Sequence, residues 1–331
     1  MHCSPSSIGV ERSDERSDHS CAGVIDVHGY RVIVDSDADG IARCVVVLRS
    51  GGLVGLPTET VYGLGADATN DDAVRRIFVV KGRPATHPLI LHVATIEAAL
   101  ALLDESPDMV LGYARRFWPG PLTLLGRAHS GVSRVATGGR DTVAVRVPAH
   151  VSTLRVLEDL ERPVAAPSAN RFGRLSPTTA AHVDADLGSD VDLILDGGPC
   201  EHGLESTILD VTADPPRIVR PGPIPPARLA IPGDDRLDTS GTAPGTLRSH
   251  YAPRRPLVLA PDLATARAMA GAGDDIVDCT GDPAVVARHL YGWLRELDTT
   301  PTGRIIAVAP TGSGLEWAVR DRLLRAAAPV G

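Results

Sequence analysis

Residues 221–254 are rich in Pro, Gly, Asp and Thr and carry no apolar period. A stretch of that composition cannot bury enough apolar surface to hold itself in place, so it reads as a linker. It divides the chain into a longer part before it and a shorter part after it, each of which needs a core of its own. At 331 residues there is length for two. Beyond the linker, apolar runs read as strand 257–259, helix 263–270, strand 275–278, helix 283–297, strand 304–309 and helix 315–327. Regular alternation of strand and helix builds a parallel sheet, so residues 255–331 are expected to form a small Rossmann-like domain. This part has no glycine fingerprint for a dinucleotide and no clustered acids for a metal. It reads as regulatory or structural.

The longer part alternates less regularly. Strands are expected at 30–34, 53–56, 88–93, 122–125, 142–148, 164–166 and 193–196, with a hairpin-like pair at 205–211 and 217–220. Helices are expected at 38–49, 73–80, 96–103, 109–118, 153–160 and 178–187. Asp71 and Asp72 stand where the cap of the second helix belongs. Residues 57–65, closed by Gly63 and Gly65, read as a loop rich in hydroxyls. The first 28 residues lack the apolar core of a signal peptide and are expected to be a disordered tail.

Several function classes are disfavoured. No apolar run approaches the length of a membrane-spanning helix. The five cysteines, Cys3, Cys21, Cys44, Cys200 and Cys279, show no C-x-x-C spacing, which suits reduced thiols and a cytoplasmic protein. A net charge of −8 and 3% aromatics argue against a global basic field or a platform for stacked bases. There is no G-x-x-x-x-G-K-[ST] loop, no H-E-x-x-H and no G-x-S-x-G.

What remains is cationic and hydroxyl-rich. Lys81 is the only lysine among 33 basic residues and lies in the turn Lys81-Gly82-Arg83-Pro84. A compact ammonium suits a single phosphate or carboxylate oxygen, and the adjacent Arg83 supplies a bidentate grip. Strand 142–148 alternates, so Thr142, Ala144 and Arg146 share one face, either toward an anion or toward solvent. Thr60, His92, Ser168, Asn170, Ser176, Ser206 and Arg220 fall at other strand ends and loops. The set lacks a nucleophile with a base beside it. It fits a site that positions anionic substrates and neutralises a transferring phosphate while a substrate supplies the nucleophile.

Four motifs carry a resemblance. They are Leu56-Pro57-Thr58-Glu59-Thr60-Val61-Tyr62-Gly63-Leu64, then Lys81-Gly82-Arg83-Pro84 with Pro88-Leu89-Ile90, then Ala166-Pro167-Ser168-Ala169-Asn170, then Glu205-Ser206-Thr207-Ile208. In this order they resemble the YrdC-like family. His250-Tyr251-Ala252-Pro253 and Asp321-Arg322-Leu323-Leu324-Arg325-Ala326-Ala327 are similar to the long, two-domain form of the L-threonylcarbamoyladenylate synthases. The resemblance implies an α/β (α+β-like) fold with a twisted, open, mixed sheet over 29–226, a linker or lid over 227–254, and the small parallel-sheet domain. It implies formation of threonylcarbamoyl-AMP and pyrophosphate from L-threonine, bicarbonate or CO₂, and ATP with Mg²⁺. The product would pass to the machinery that modifies tRNA, with weak tRNA contact and no membrane.

By the same resemblance Lys81, Arg83, Ser168 and Asn170 form the catalytic core on the ATP side. His87, Thr142, Ser176, Arg220 and Tyr251 also contact ATP, and Tyr251 covers the nucleotide. Thr60, His92, Arg146, Ala166 and Ser206 hold threonine, with Arg146 on its carboxylate. The chain departs from the family pattern at His87, where asparagine is usual. Two other readings compete: a structured-RNA-binding protein of the same fold, and a carbamoyl-transfer module of hydrogenase maturation. The latter's zinc-finger and acylphosphatase-like segments are absent from this sequence.

Overall fold

The computed structural model describes residues 33–231, 243–300 and 302–328, so the expected tail, residues 1–28, lies outside them. Elements follow in chain order as β1 (Ile33–Asp35), α1 (Ala38–Arg49), β2 (Val54–Leu56), β3 (Gly63–Asp67), α2 (Asp71–Lys81), β4 (Ile90–His92), α3 (Ile96–Leu100) and α4 (Pro107–Phe117). Then come β5 (Leu122–Arg127), β6 (Thr142–Arg146), α5 (Val151–Leu160), β7 (Val164–Ala165), α6 (Ala180–Leu187), β8 (Leu193–Asp196), β9 (Thr207–Asp210), β10 (Arg217–Arg220) and α7 (Pro226–Leu229). The last elements are β11 (Leu257–Ala260), α8 (Leu263–Met269), β12 (Asp275–Asp278), α9 (Pro283–Leu297), β13 (Ile305–Val308) and α10 (Leu315–Ala327).

β1 to β10 form one ten-stranded open sheet in the order β1-β8-β2-β3-β7-β4-β6-β5-β9-β10. It is mixed: β4 runs parallel to β6 and β5 parallel to β9, while β3, β7 and β4 pair antiparallel. β11, β13 and β12 make a separate, wholly parallel three-stranded sheet with β13 in the middle. Both sheets are of the kinds the sequence led us to expect.

Local chemistry sets most boundaries. Asp37 caps α1 by accepting from the Gly40 amide at 2.9 Å. α2 is capped by Asn70, which accepts from the amides of Asp72 and Ala73, and not by the aspartates that follow. Asp71 and Asp72 sit in the first turn, where their charge complements the helix dipole. The expected loop over 57–65 ends early, because β3 begins at Gly63 and pairs antiparallel with β2. Gly65 serves packing there: a Cβ would stand 2.8 Å from Leu56 Cδ1 and 3.0 Å from Val164 Cγ1.

The expected linker is more ordered than its composition suggested. Ile224 and Leu229, in and beside α7, are buried in the main core with Phe117 and Leu209. From Ala243 to Thr246 and from His250 to Pro253 the segment is buried again. The core of the small sheet, built on Leu290, Tyr291, Ile305 and Leu323, also takes in Val61, Leu175, Leu204 and Tyr251 from the other side. That cluster joins the two sheets through one continuous apolar contact.

Candidate functional site

β4 and β6 lie parallel with His92 directly beside Arg146, although 54 positions separate them in sequence. This pair forms one wall of a cavity of about 50 Å³. A second wall is the turn after β2, whose Thr58 hydroxyl accepts from the amides of Thr60 and Val61 and so fixes its shape. The third is the turn after β7. The two turns are zipped together by Leu64 N–H to Pro167 O (2.7 Å) and Ala169 N–H to Tyr62 O (2.9 Å). The 243–253 segment closes the cavity with Pro244, Gly245, His250 and Tyr251.

Arg146 is only 3% exposed. Its Nη1 donates to Thr60 Oγ1 at 2.9 Å and its Nε to Gly120 O at 3.1 Å, while Nη2 lies 2.6 Å from Glu59 Oε1. Burial alone would raise the Glu59 pKa, but the adjacent Arg146 charge outweighs it and holds Glu59 below the usual carboxylate range. Burial, with Arg146 adding repulsion, depresses His92 to about 3, so its ring is neutral. His92 Nδ1 is buried with no hydrogen-bond partner among the described residues. An unsatisfied group on a cavity wall is a place for a ligand's polar atom.

Arg83 and Arg220 form the cationic side. Arg83 Nη2 donates to Pro88 O at 2.9 Å and its guanidinium lies 5.6 Å from the Phe172 ring centre. Arg220 donates to Ser206 O and Ser206 Oγ (2.8 and 2.9 Å) and to Pro244 O (3.0 Å). Neither has an ion-pair partner among the described residues. Burial lowers the pKa of Arg83 to about 10 and lowers that of Arg220 as well. Two buried guanidiniums held only by neutral carbonyls and hydroxyls favour an incoming polyanion.

The candidate residues fall into two tiers. Thr60, Arg83, His92, Arg146, Ala166, Ser168, Ser206, Arg220 and Tyr251 all line the cavity. Lys81, His87, Thr142, Asn170 and Ser176 stand off its wall. Lys81 is 2% exposed, and its Nζ donates to the carbonyls of Ser168 and Asn170, each at 2.5 Å. Burial, then repulsion from Arg83, pushes its pKa well below that of an ordinary lysine. Asn170 Nδ2 donates to the carbonyls of Arg171 and Arg174, both at 2.8 Å. Together they shape the turn that presents Ser168. His87 sits at the rim with its ring 5.4 Å from Phe172, and burial and two arginines lower its pKa. Thr142 lies at the far end of β6, and Ser176 donates to Glu205.

Four residues at the site, Glu59, Glu205, His250 and Phe172, have no individual signal in the sequence that marks them as functional. Glu59 and Glu205 lay inside two motifs, but each is identified by an arginine far away in sequence. His250 and Phe172 complete a row of rings from His87 through Phe172, His250 and Tyr251 to Tyr291, with successive centres 5.4, 5.6, 4.2 and 6.0 Å apart. Tyr251 enters this row from a left-handed backbone (φ 60°), a strained setting for an aromatic residue that its burial sustains.

Glu205 on the cavity wall and Glu59 behind it are each engaged by arginine, and the described residues hold no group of three or more His, Cys, Asp or Glu suited to a metal. The protein side chains therefore do not fit a resident metal ion.

Residues 46–222 match the family model described as "Telomere recombination" (Sua5, YciO and YrdC), and residues 225–328 match "Threonylcarbamoyl-AMP synthase, C-terminal domain". The chain is 42% identical to a threonylcarbamoyl-AMP synthase of Pyrococcus abyssi over 84% of its own length and 91% of that protein. It is 37% identical to one of Bacillus subtilis over 87% and 92%. Its structure is similar to that of P. abyssi Sua5 complexed with L-threonine, with a TM-score of 0.84 at 38% identity over 89% of this chain and 97% of that one.

Proposed function

The chain belongs to the two-domain threonylcarbamoyl-AMP synthase family, and from that premise we propose how it makes that product from L-threonine, bicarbonate or CO₂, and ATP. The threonine nitrogen attacks the carbon of CO₂, one C=O electron pair moves to oxygen, and the amine gives a proton to solvent. A carbamate oxygen then attacks the α-phosphorus of ATP. The bond from that phosphorus to the bridging oxygen breaks, and pyrophosphate leaves. When bicarbonate is the source, one water is released as well. No protein nucleophile takes part.

The observation that carries this reading is the pair Arg83 and Arg220, buried at the cavity and ion-paired to no carboxylate among the described residues. A triphosphate placed between them meets fixed positive charge in a largely buried site, where it acts more strongly than in bulk water. Arg146 and the unsatisfied His92 Nδ1 then suit the threonine side, with the Thr60 and Ser206 hydroxyls nearby. Lys81 and Asn170 hold the turn that presents Ser168 to the phosphates. Mg²⁺, as the counter-ion of ATP, would be held by the phosphates and would supply positive charge to them. A cavity of about 50 Å³ holds a water or two, so the 243–253 segment acts as a lid that withdraws to admit both substrates and returns over them.

We assign residues 29–226 to catalysis, 227–254 to the linker and lid, and 255–331 to a domain that docks on the site. The product would be handed to the enzymes that modify tRNA, with tRNA touching this chain weakly if at all. Pyrophosphate release is the test. It should require threonine, bicarbonate and ATP together, and release that is equally fast without threonine would refute the reading.

A further inference from the structure

α10 is buried on two faces. Val319, Leu323 and Ala326 face its own sheet, as expected. Asp321, Arg322 and Arg325 are each only 1% exposed, so a second, charged face is buried as well. The spacing i, i+1, i+4 places these three on one side of the helix. Arg322 Nε donates to Glu205 Oε2 at 2.7 Å, Nη1 to Asp321 at 2.6 Å and Nη2 to Pro221 O at 2.9 Å. Its guanidinium also lies 5.1 Å from the centre of the Tyr251 ring. Asp321 is held in turn by Arg325, 2.9 Å away.

Glu205 stands on the cavity wall next to Ser206. Besides Arg322 it accepts from Ser176 and, with both oxygens, from the Tyr291 hydroxyl of α9 at 3.1 Å. Arg220 of β10 is the other charged group it feels, and its own charge adds to burial in raising the pKa of Tyr251 of the lid. The turn before it lies flat against α9. Gly203 adopts φ +70°, and a Cβ there would meet Arg288 O at 2.4 Å and Ala287 O at 2.6 Å. Every route to the Glu205 carboxylate from the small sheet therefore depends on close docking of α9 and α10.

We propose that Arg322 is a positioning residue for the reaction, cancelling the Glu205 charge on the cavity wall and bracing Tyr251 so that the site accepts ATP. The inference rests on the function proposed above. Without Arg322 a buried carboxylate faces an incoming polyanion, and only Arg220 remains nearby to offset it. The helix thereby makes nucleotide binding conditional on docking of the C-terminal part of the chain.

Steady-state threonine-dependent pyrophosphate release by the full chain tests this, with wild type, Arg322→Met, Glu205→Gln and the double variant in parallel. Arg322→Met should raise the ATP KM at least tenfold with a much smaller change in kcat. Glu205→Gln alone should lower the ATP KM at least twofold. The double variant should return to within threefold of wild type, a rescue that a merely structural role for Arg322 would not give. An unchanged ATP KM in Arg322→Met, or a double variant no better than that single one, overturns the proposal. If Arg322→Met fails to fold, Glu205→Gln decides alone, and a rise in its ATP KM overturns the proposal. Wild type that releases no threonine-dependent pyrophosphate sinks the functional reading instead.

Discussion

Glu59→Gln probes the charge balance on the threonine side. Glu59 and Arg146 have side chains 5% and 4% exposed and approach to 2.6 Å. Removing one partner of a buried pair typically costs about 3–5 kcal/mol, because the other charge is left uncompensated. Arg146 keeps two neutral acceptors, Gly120 O and Thr60 Oγ1, so a loss near the lower end, about 3 kcal/mol, is expected. An unfolding entropy of about 2.1 cal/mol/K per residue gives roughly 0.7 kcal/mol/K for a chain of this size, so Tm should fall by about 4 °C. Saturating L-threonine should raise the Tm of the variant more than that of wild type, because its carboxylate takes the place Glu59 has left. Differential scanning fluorimetry with and without threonine reads both effects. A Tm within about 1 °C of wild type, or equal shifts with threonine, would refute the assignment of Arg146 to a carboxylate. The pH dependence has a definite sign. Glu59 is held below its ordinary value of 4.5, so its contribution is complete above that pH and is lost as pH falls through the lower folded value. The Tm gap between wild type and Glu59→Gln should therefore close in acid.

Three further changes separate roles that the wall and its support play. Lys81→Met strands the carbonyls of Ser168 and Asn170 and should cost about 2–4 kcal/mol of stability, with kcat falling far more than threonine affinity; thermal melts and turnover check both. His87 has its pKa lowered by burial and then by Arg83 and Arg140, so it is neutral at pH 7 and above. Protonation in acid should tighten ATP in wild type relative to His87→Asn, and identical KM–pH profiles below about pH 6.5 would remove the idea. Gly203→Ala drives a Cβ into the α9 backbone and should destabilise by more than about 2 kcal/mol; a raised ATP KM alongside the lowered Tm would mark the loss of docking.

The parts of the fold that could be read in advance were those specified by nearby residues. α1, β12, α9 and α10 begin and end where expected because caps, prolines and glycines mark them within a few positions. The turn expected over 57–65 gives way to β3 at Gly63, because glycine that permits a bend and glycine that admits a neighbour look alike without the neighbour. At Gly65 the neighbours are Leu56 and Val164, the second 99 positions further on. Ile224 and Leu229 are too sparse to show a period, and only tertiary packing buries them. The candidate residues came from motifs that mark the turns, and the turns do converge. What the motifs did not carry was the partner of each charge. Nothing local distinguishes Glu59 or Glu205 from a surface glutamate, because Arg146 and Arg322 lie 87 and 117 positions further on.

Those pairings explain how a protein can hold so much buried cationic surface before a substrate arrives. Arg146 and Arg322 each face a glutamate, so neither charge is left uncompensated. Arg83 and Arg220 hydrogen-bond only to neutral groups, and burial lowers the pKa of each. The site is thus poised unevenly. Its threonine side carries a carboxylate that an amino acid must displace or share, whereas its nucleotide side has an uncancelled charge of about two that any polyanion relieves. ATP should therefore bind first and more strongly, and threonine binding should tighten once the lid closes over the nucleotide. Calorimetry with a non-hydrolysable ATP analogue decides the order. Threonine affinity that is the same with and without the analogue would contradict it, since coupling between two sites must act in both directions.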